Sequence, residues 1–237
     1  MSWNQQPPSY LTADPEALAA RVSAFLGRVY AWMFLGLLVT AATAFVVSSS
    51  EPLIEALILN RLVFWMLLFG QLGLVIFLSA RVAKMSPVMA GTLFILYSAT
   101  VGITTSVILL AYTGASIVST FAVTAGMFGA LALFGTFTKR SLAGVGQFMF
   151  MGLIGLILAM VVNLFWQNDA LYFVISVIGV LVFTGLTAWD AQRMKQMAVA
   201  LPDGRVGSYA IVGALSLYLD FINLFFFLLR LMGGRRN

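Results

Sequence analysis

Seven stretches of this chain are almost purely apolar over a length that fits a bilayer: near 29–48, 62–80, 87–111, 116–138, 145–166, 170–192 and 208–232. A hydrocarbon core about 30 Å thick takes about 20 helical residues to cross. Within it, each backbone N–H and C=O must find its partner inside the protein, which leaves helices or a closed barrel. No strand-like alternation runs through these segments, so the barrel falls away. The links "AYTGAS" and "WQND" are so short that the helices they join must be antiparallel neighbours. The expected fold is an all-α membrane protein, a seven-transmembrane helix bundle.

Composition narrows what such a bundle can do. Of 237 residues, 62% are hydrophobic and 9% charged, where soluble domains carry about 25% charged residues. Little is left for a separate soluble domain. There is no cysteine and no histidine. Disulfides, a His/Cys metal centre and a Ser-His-Asp triad are therefore excluded, and any proton sensing near neutrality must use carboxylates. The net charge of +5 comes from scattered basic residues, which suggests no nucleic-acid surface. Residues 1–23, with their Gln, Pro and Ser, read as a flexible polar tail rather than a cleavable signal. Residues 24–233 form the transmembrane domain, and 234–237 a short basic tail.

Lysine and arginine set the orientation. With seven spans one side receives Arg21, Arg28, Arg81, Lys84, Lys139, Arg140, Arg193, Lys195 and Arg205, and the other Arg61, Arg230, Arg235 and Arg236. Nine against four places the N-terminus in the cytoplasm and the C-terminus outside. A re-entrant last segment would shift the balance further, but nothing after Gly213 could reverse the chain in lipid. Small residues recur every fourth position at Ser98, Gly102 and Ser106 and at Ala122, Gly126 and Ala130. Both stripes are expected to pack against helices of the same bundle, with contacts between copies of the chain as the alternative.

Of eight acidic residues, only Asp190 and Asp220 are embedded in spans. A lone charge at bilayer depth costs roughly 2.5–3.5 kcal/mol on insertion scales. In a symmetric hairpin turning at "LPDGRVGS" the two carboxylates sit level. Gly213, Ser216, Asp220, Asn223 and Phe227 share one stripe at helical spacing, and Thr187 lies one turn from Asp190. Facing carboxylates cannot both ionise cheaply and would share a proton. The competing reading makes each Asp a piece of interhelical hydrogen-bond glue. Arg81, after the second span, is the candidate for an ion-pair latch to Asp190, beside its plainer role as a cytoplasmic anchor with Lys84.

"FTGLTAWDAQRMK" and "SLYLDFINLFFFLLRLMG" resemble the two signature segments of the Bax inhibitor-1 (TMBIM) family. "TAGMFGALALFGTFTKRSL", "FMFMGLIGLILAMVVNLF" and "GRVYAWMFLGLLVTAATAF" look like its bacterial inner-membrane branch. The resemblance implies a multi-pass bacterial inner-membrane protein whose last helix is central and wrapped by the other six. It also implies an aspartate pair, Asp190 and Asp220, that acts as pH sensor for a calcium leak. Trp189 stands where the family usually has Tyr, and Ser141 where an acidic residue is expected.

Two functions remain in view. In the first, the chain is a pH-sensitive calcium leak channel. Asp190 and Asp220 bind calcium transiently, Asn223, Ser216 and Thr187 line the path, and the partners are the lipid bilayer, calcium ions and protons. In the second, it is a regulatory or adaptor protein for a membrane protease or other membrane partner, with the tail as handle. A proton-coupled transporter lacks evident broken helices. No enzyme activity and no cofactor are expected: "LYLD" does not match the Gly-Leu-Gly-Asp motif of intramembrane aspartyl proteases, and the last span has no lysine for retinal.

Overall fold

The computed structural model describes residues 15–166, 168–202 and 205–236. Seven long helices cross back and forth: α1 (Pro15–Ser48), α2 (Arg61–Arg81), α3 (Pro87–Ala111), α4 (Gly114–Phe137), α5 (Ala143–Phe165), α6 (Asp169–Ala200) and α7 (Val206–Met232). All seven are long and apolar enough to cross a membrane. Short helical turns at Glu51–Leu53, Ile54–Leu59 and Val82–Lys84 fill the links, and no strand occurs among the described residues. Most of the expected polar tail, and Asp203 in the last turn, lie outside the described residues. From Pro15 onward, the part expected to be flexible is instead the first turns of α1.

Local sequence explains where the helices begin. Asn60, Ser86, Thr113 and Asn168 each precede a helix, and each side-chain oxygen accepts a backbone N–H of the first turn, at 3.1–3.3 Å. Four otherwise orphaned donors are thereby satisfied where the chain re-enters lipid. Pro87 follows Ser86 at the first helical position of α3, where its missing N–H costs nothing.

Helix α7 is the most enclosed. In its most apolar stretch 61% of residues are buried, against 6% for α2 and for α5. It packs mainly on α1, α3, α4 and α6, while α2 leans on α3 and α5 on α6. Tyr218 of α7 is fully buried, with Phe94 and Tyr97 of α3 edge-on to its ring at 5.7 and 6.0 Å. Its hydroxyl lies 2.6 Å from Thr40 Oγ1. The Thr40 hydroxyl in turn donates to the Ser98 carbonyl at 2.9 Å. Since Thr40 has one proton to give, the Tyr218 hydroxyl is the donor between the two.

The two small-residue stripes behave differently. Ser98, Gly102 and Ser106 are buried as expected, and a Cβ on Gly102 would sit 2.6 Å from the Thr40 carbonyl oxygen. Only glycine lets α3 lie on α1 so closely. Ala122, Gly126 and Ala130, expected to pack inside the bundle, face outward instead. The buried face of α4 is Thr120, Thr124, Phe128, Ala132 and Gly135. Aromatic packing turns the helix this way: Phe121 and Phe128 meet Phe221 edge-on at 5.4 and 5.5 Å, a larger payload than a seam of small residues offers.

The contrast predicts opposite responses to one substitution. Gly102→Leu, forced against the α1 backbone, should destabilise the bundle by about 1–3 kcal/mol. Gly126→Leu, with nothing within 4 Å of its added Cβ, should change stability by no more than about 0.5 kcal/mol. Thermal unfolding in detergent, followed by tryptophan fluorescence, checks both.

Candidate functional site

Helices α6 and α7 form a hairpin. Asp190 sits about 15 Å before the end of α6, and Asp220 about 21 Å beyond the start of α7, at 1.5 Å per residue. Their side chains reach one cavity of about 620 Å³. Asp190 is 8% and Asp220 4% exposed. Ser216, Asn223 and Phe227, placed on the same stripe from their spacing, line this cavity too. Gly213 does not; it gives room to Met194 Sδ, which a Cβ would meet at 2.5 Å. Thr187 does not line it either. It is fully buried and its hydroxyl donates to the Phe183 carbonyl at 2.7 Å, because a threonine inside a helix readily returns its proton to the preceding turn.

The carboxylates are poorly provided for. Asp190 Oδ1 and Asp220 Oδ2 are buried without a hydrogen-bond partner, and among the described residues neither side chain makes a hydrogen bond to another helix. Buried carboxylate oxygens in native structures are nearly always paired, so this pair is exceptional. The nearest cation is Arg193, whose Nη1 lies 3.8 Å from Asp190 Oδ1 one turn along α6. Its guanidinium rests over the Trp189 ring at 5.6 Å, and its side chain is 52% exposed. An ion pair so open to solvent is worth little. Arg81, at the end of α2, is exposed, and no ion pair joins it to Asp190 among the described residues. In this conformation the countercharge belongs to Arg193.

The outer faces of α6 serve a different purpose. Gln192 donates through Nε2 to the Arg140 carbonyl at 2.9 Å and accepts the Leu142 N–H at 2.8 Å. Lys195 Nζ donates to the Thr136 carbonyl at 2.9 Å. These contacts hold the α4–α5 link, Ser141 included, against α6. A Cβ on Gly135 would overlap the Ala188 carbonyl, so α4 also braces α6 just before Asp190.

A second cavity of about 720 Å³ shares Leu68, Gln71, Tyr97, Leu219 and Asn223 with the first. Together they run along α7 from Arg193 and Asp190 to Tyr112, Tyr172, Arg230, Arg235 and Arg236 at the other end. Gln71 sits at the junction, its amide donating to the Thr100 carbonyl at 2.8 Å and to Thr104 Oγ1 at 3.1 Å. Sequence reasoning passed it over, although the signal was present: one amide in the middle of "LLFGQLGLV". Tyr97 was missed because an aromatic residue in an apolar run reads as core. Among the described residues, no group of three or more Asp, Glu, His or Cys comes together, so no tight metal cage is formed.

Comparison with known proteins agrees with this architecture. The family model described as "Inhibitor of apoptosis-promoting Bax1" matches residues 22–237. The chain is 48% identical over 220 residues to the inner membrane protein YbhL of Escherichia coli (strain K12), covering 92% of this chain and 94% of that one. It is 42% identical over 215 residues to an uncharacterised protein of Borreliella burgdorferi, covering 90% and 93%. It is also 37% identical over 212 residues to an uncharacterised membrane protein of Streptococcus pyogenes serotype M1, covering 88% and 92%. The apolar helices and the relative's name fit a multi-pass inner-membrane protein, and the chain belongs to the Bax inhibitor-1 family.

Proposed function

We propose that this chain is a pH-sensitive calcium leak channel of the inner membrane, with its N-terminus cytoplasmic and the Asp190–Asp220 pair as the gate. The observation that carries the reading is the pair of buried, unsatisfied carboxylate oxygens at the head of a cavity that continues along α7. Interhelical glue would leave those oxygens hydrogen-bonded; a site awaiting protons or a cation leaves them open. Calcium prefers oxygen ligands. Two carboxylates with Ser216 and Asn223 suit brief occupancy during passage rather than storage.

Near neutrality the pair shares one proton and carries about one negative charge. Acidification neutralises it, and alkalinisation forces two like charges together. Either change moves a two-state gate by at most the difference in protonation free energy between states, about 1.4 kcal/mol per pKa unit. The response is therefore graded across a pH unit or more. In proteoliposomes loaded with a calcium dye, Asp220→Asn should abolish most of the pH dependence of flux. Asp190→Asn combined with Asp220→Asn should be no more pH-blind than either alone. Additive effects in the double variant would separate the carboxylates and sink the shared-proton gate.

Arg193 gives a second test. Removing a cation beside Asp190 disfavours the ionised pair, so Arg193→Ala should move the flux midpoint to higher pH. A half-exposed partner limits the effect to about 1 kcal/mol, or less than tenfold in flux. Arg81→Ala alters the profile only if another gating state brings Arg81 to Asp190. A profile unmoved in both variants would remove basic residues from the gate.

The adaptor reading is separated by the tail. Because α1 begins at Pro15, deleting residues 1–14 spares the bundle. Flux in that variant should equal that of the full chain. A protein without intrinsic flux, whose cellular effect disappears with the tail, would be an adaptor for a membrane partner instead.

A further inference from the structure

The far end of the cavity system has the opposite character from the aspartates. After α7 the chain continues extended and docks on the α3–α4 link. Thr113 N–H donates to the Gly234 carbonyl at 3.1 Å, and Arg236 N–H to the Ala111 carbonyl at 3.0 Å. Gly234 N–H donates to Ser116 Oγ at 2.9 Å. Backbone bonds thus hold Arg235 and Arg236 at the mouth of the second cavity, and the Arg236 guanidinium adds one long contact, Nη1 to the Leu109 carbonyl at 3.5 Å. Arg230 reaches the same mouth, its guanidinium 5.1 Å from the Tyr172 ring centre and 5.4 Å from that of Phe227. The Arg235 guanidinium lies beside the Tyr112 and Tyr172 hydroxyls.

No carboxylate lines the second cavity. Asp169 lines a smaller neighbouring cavity of about 380 Å³ that also touches Arg230 and Arg235, but no ion pair links it to either among the described residues. Three cations beside one unpaired carboxylate leave the mouth strongly positive. Guanidinium forks, two of them carried on a backbone strap, can pair with the oxygens of a phosphate group, and tyrosine hydroxyls add neutral donors.

We propose that this mouth is a binding site for a phosphate-class anion, held by Arg230, Arg235 and Arg236 with the Tyr112 and Tyr172 hydroxyls. The site is independent of the leak reading, since binding is measurable without any calcium flux. The same chemistry is offered by a free phosphate and by an anionic lipid headgroup.

The test uses the full chain in phosphatidylcholine nanodiscs and in nanodiscs of equimolar phosphatidylcholine and phosphatidylglycerol. Radiolabelled inorganic phosphate is titrated into both, and phosphatidylglycerol retained after detergent extraction is counted in the second. Arg235→Gln combined with Arg236→Gln leaves the backbone strap intact and should weaken binding about tenfold or more, since each guanidinium supplies charge-assisted bonds. Arg61→Gln, at the same end of the bundle but outside the cavity lining, should leave it unchanged. Phosphate bound in the first discs and displaced in the second identifies the headgroup as occupant; phosphate bound equally in both identifies the soluble anion. The proposal fails if neither probe binds above the level of the double variant, or if Arg61→Gln weakens binding as much.

Discussion

The hydroxyl of Tyr218, donating to Thr40 Oγ1 while Thr40 donates onward to the Ser98 carbonyl, fixes the rotation of α7. At about 100° per residue, Ser216, Asp220, Asn223 and Phe227 all lie about 140–200° around the helix from Tyr218. Anchoring Tyr218 toward α1 and α3 therefore turns this whole stripe to the opposite side. There it meets α6 and the cavity rather than lipid. A hydroxyl left unpaired at this depth would cost about 1–3 kcal/mol, and rotation of α7 would both break the anchor and carry Asp220 away from its cavity into apolar packing. Two penalties act in the same direction, so one small polar node determines where the carboxylate points.

That placement gives the two joined cavities chemically distinct ends. Asp190, Asp220 and the half-exposed Arg193 occupy one end, Gln71 and Asn223 the shared middle, and three arginines with two tyrosines the other. The middle is neutral, and its amides are committed to backbone or threonine partners: Asn223 Nδ2 donates to the Leu219 carbonyl at 2.8 Å, as Gln71 does to that of Thr100. A divalent cation moving along α7 would find acceptors at the acidic end and repulsion at the basic one. An anion seated among the arginines would lower that repulsion, which links the two ends through electrostatics without any moving part.

Much of this was legible in the sequence, because bilayer thickness acts on every span independently of tertiary detail. The spans, the short links and the stripe of α7 all follow from period and length. What the sequence withheld depends on which neighbour a face meets. The outward turn of Ala122, Gly126 and Ala130 is decided by Phe221 on another helix. Thr187, one turn from Asp190, looked like cavity lining, yet its hydroxyl is spent on its own helix. Arg81 and Arg193 carry the same charge at the same end of the bundle, and only α6 geometry sets Arg193 beside Asp190. Gln71 shows the reverse case, a lone amide in an apolar run whose position is plain in the sequence but whose partners, Thr100 and Thr104, lie on another helix.

Helix α7 thus carries two polar systems of opposite temper. Around Tyr218 its own hydroxyl and those of Thr40 and Ser98 all have partners, the rings of Phe94 and Tyr97 meet it edge-on, and Gly102 lets α3 lie directly on the α1 backbone. Around Asp220 the oxygens are unsatisfied and the walls are a cavity. A chain without histidine must place any proton response on carboxylates, and such a response requires that the protonated and ionised states differ in what surrounds them. Saturating Asp220 with fixed donors would remove that difference and freeze the charge. Leaving it open beside Asp190, half a turn from a rigid anchor, keeps the energetic consequence of a proton local to the α6–α7 face while the rest of the helix holds still.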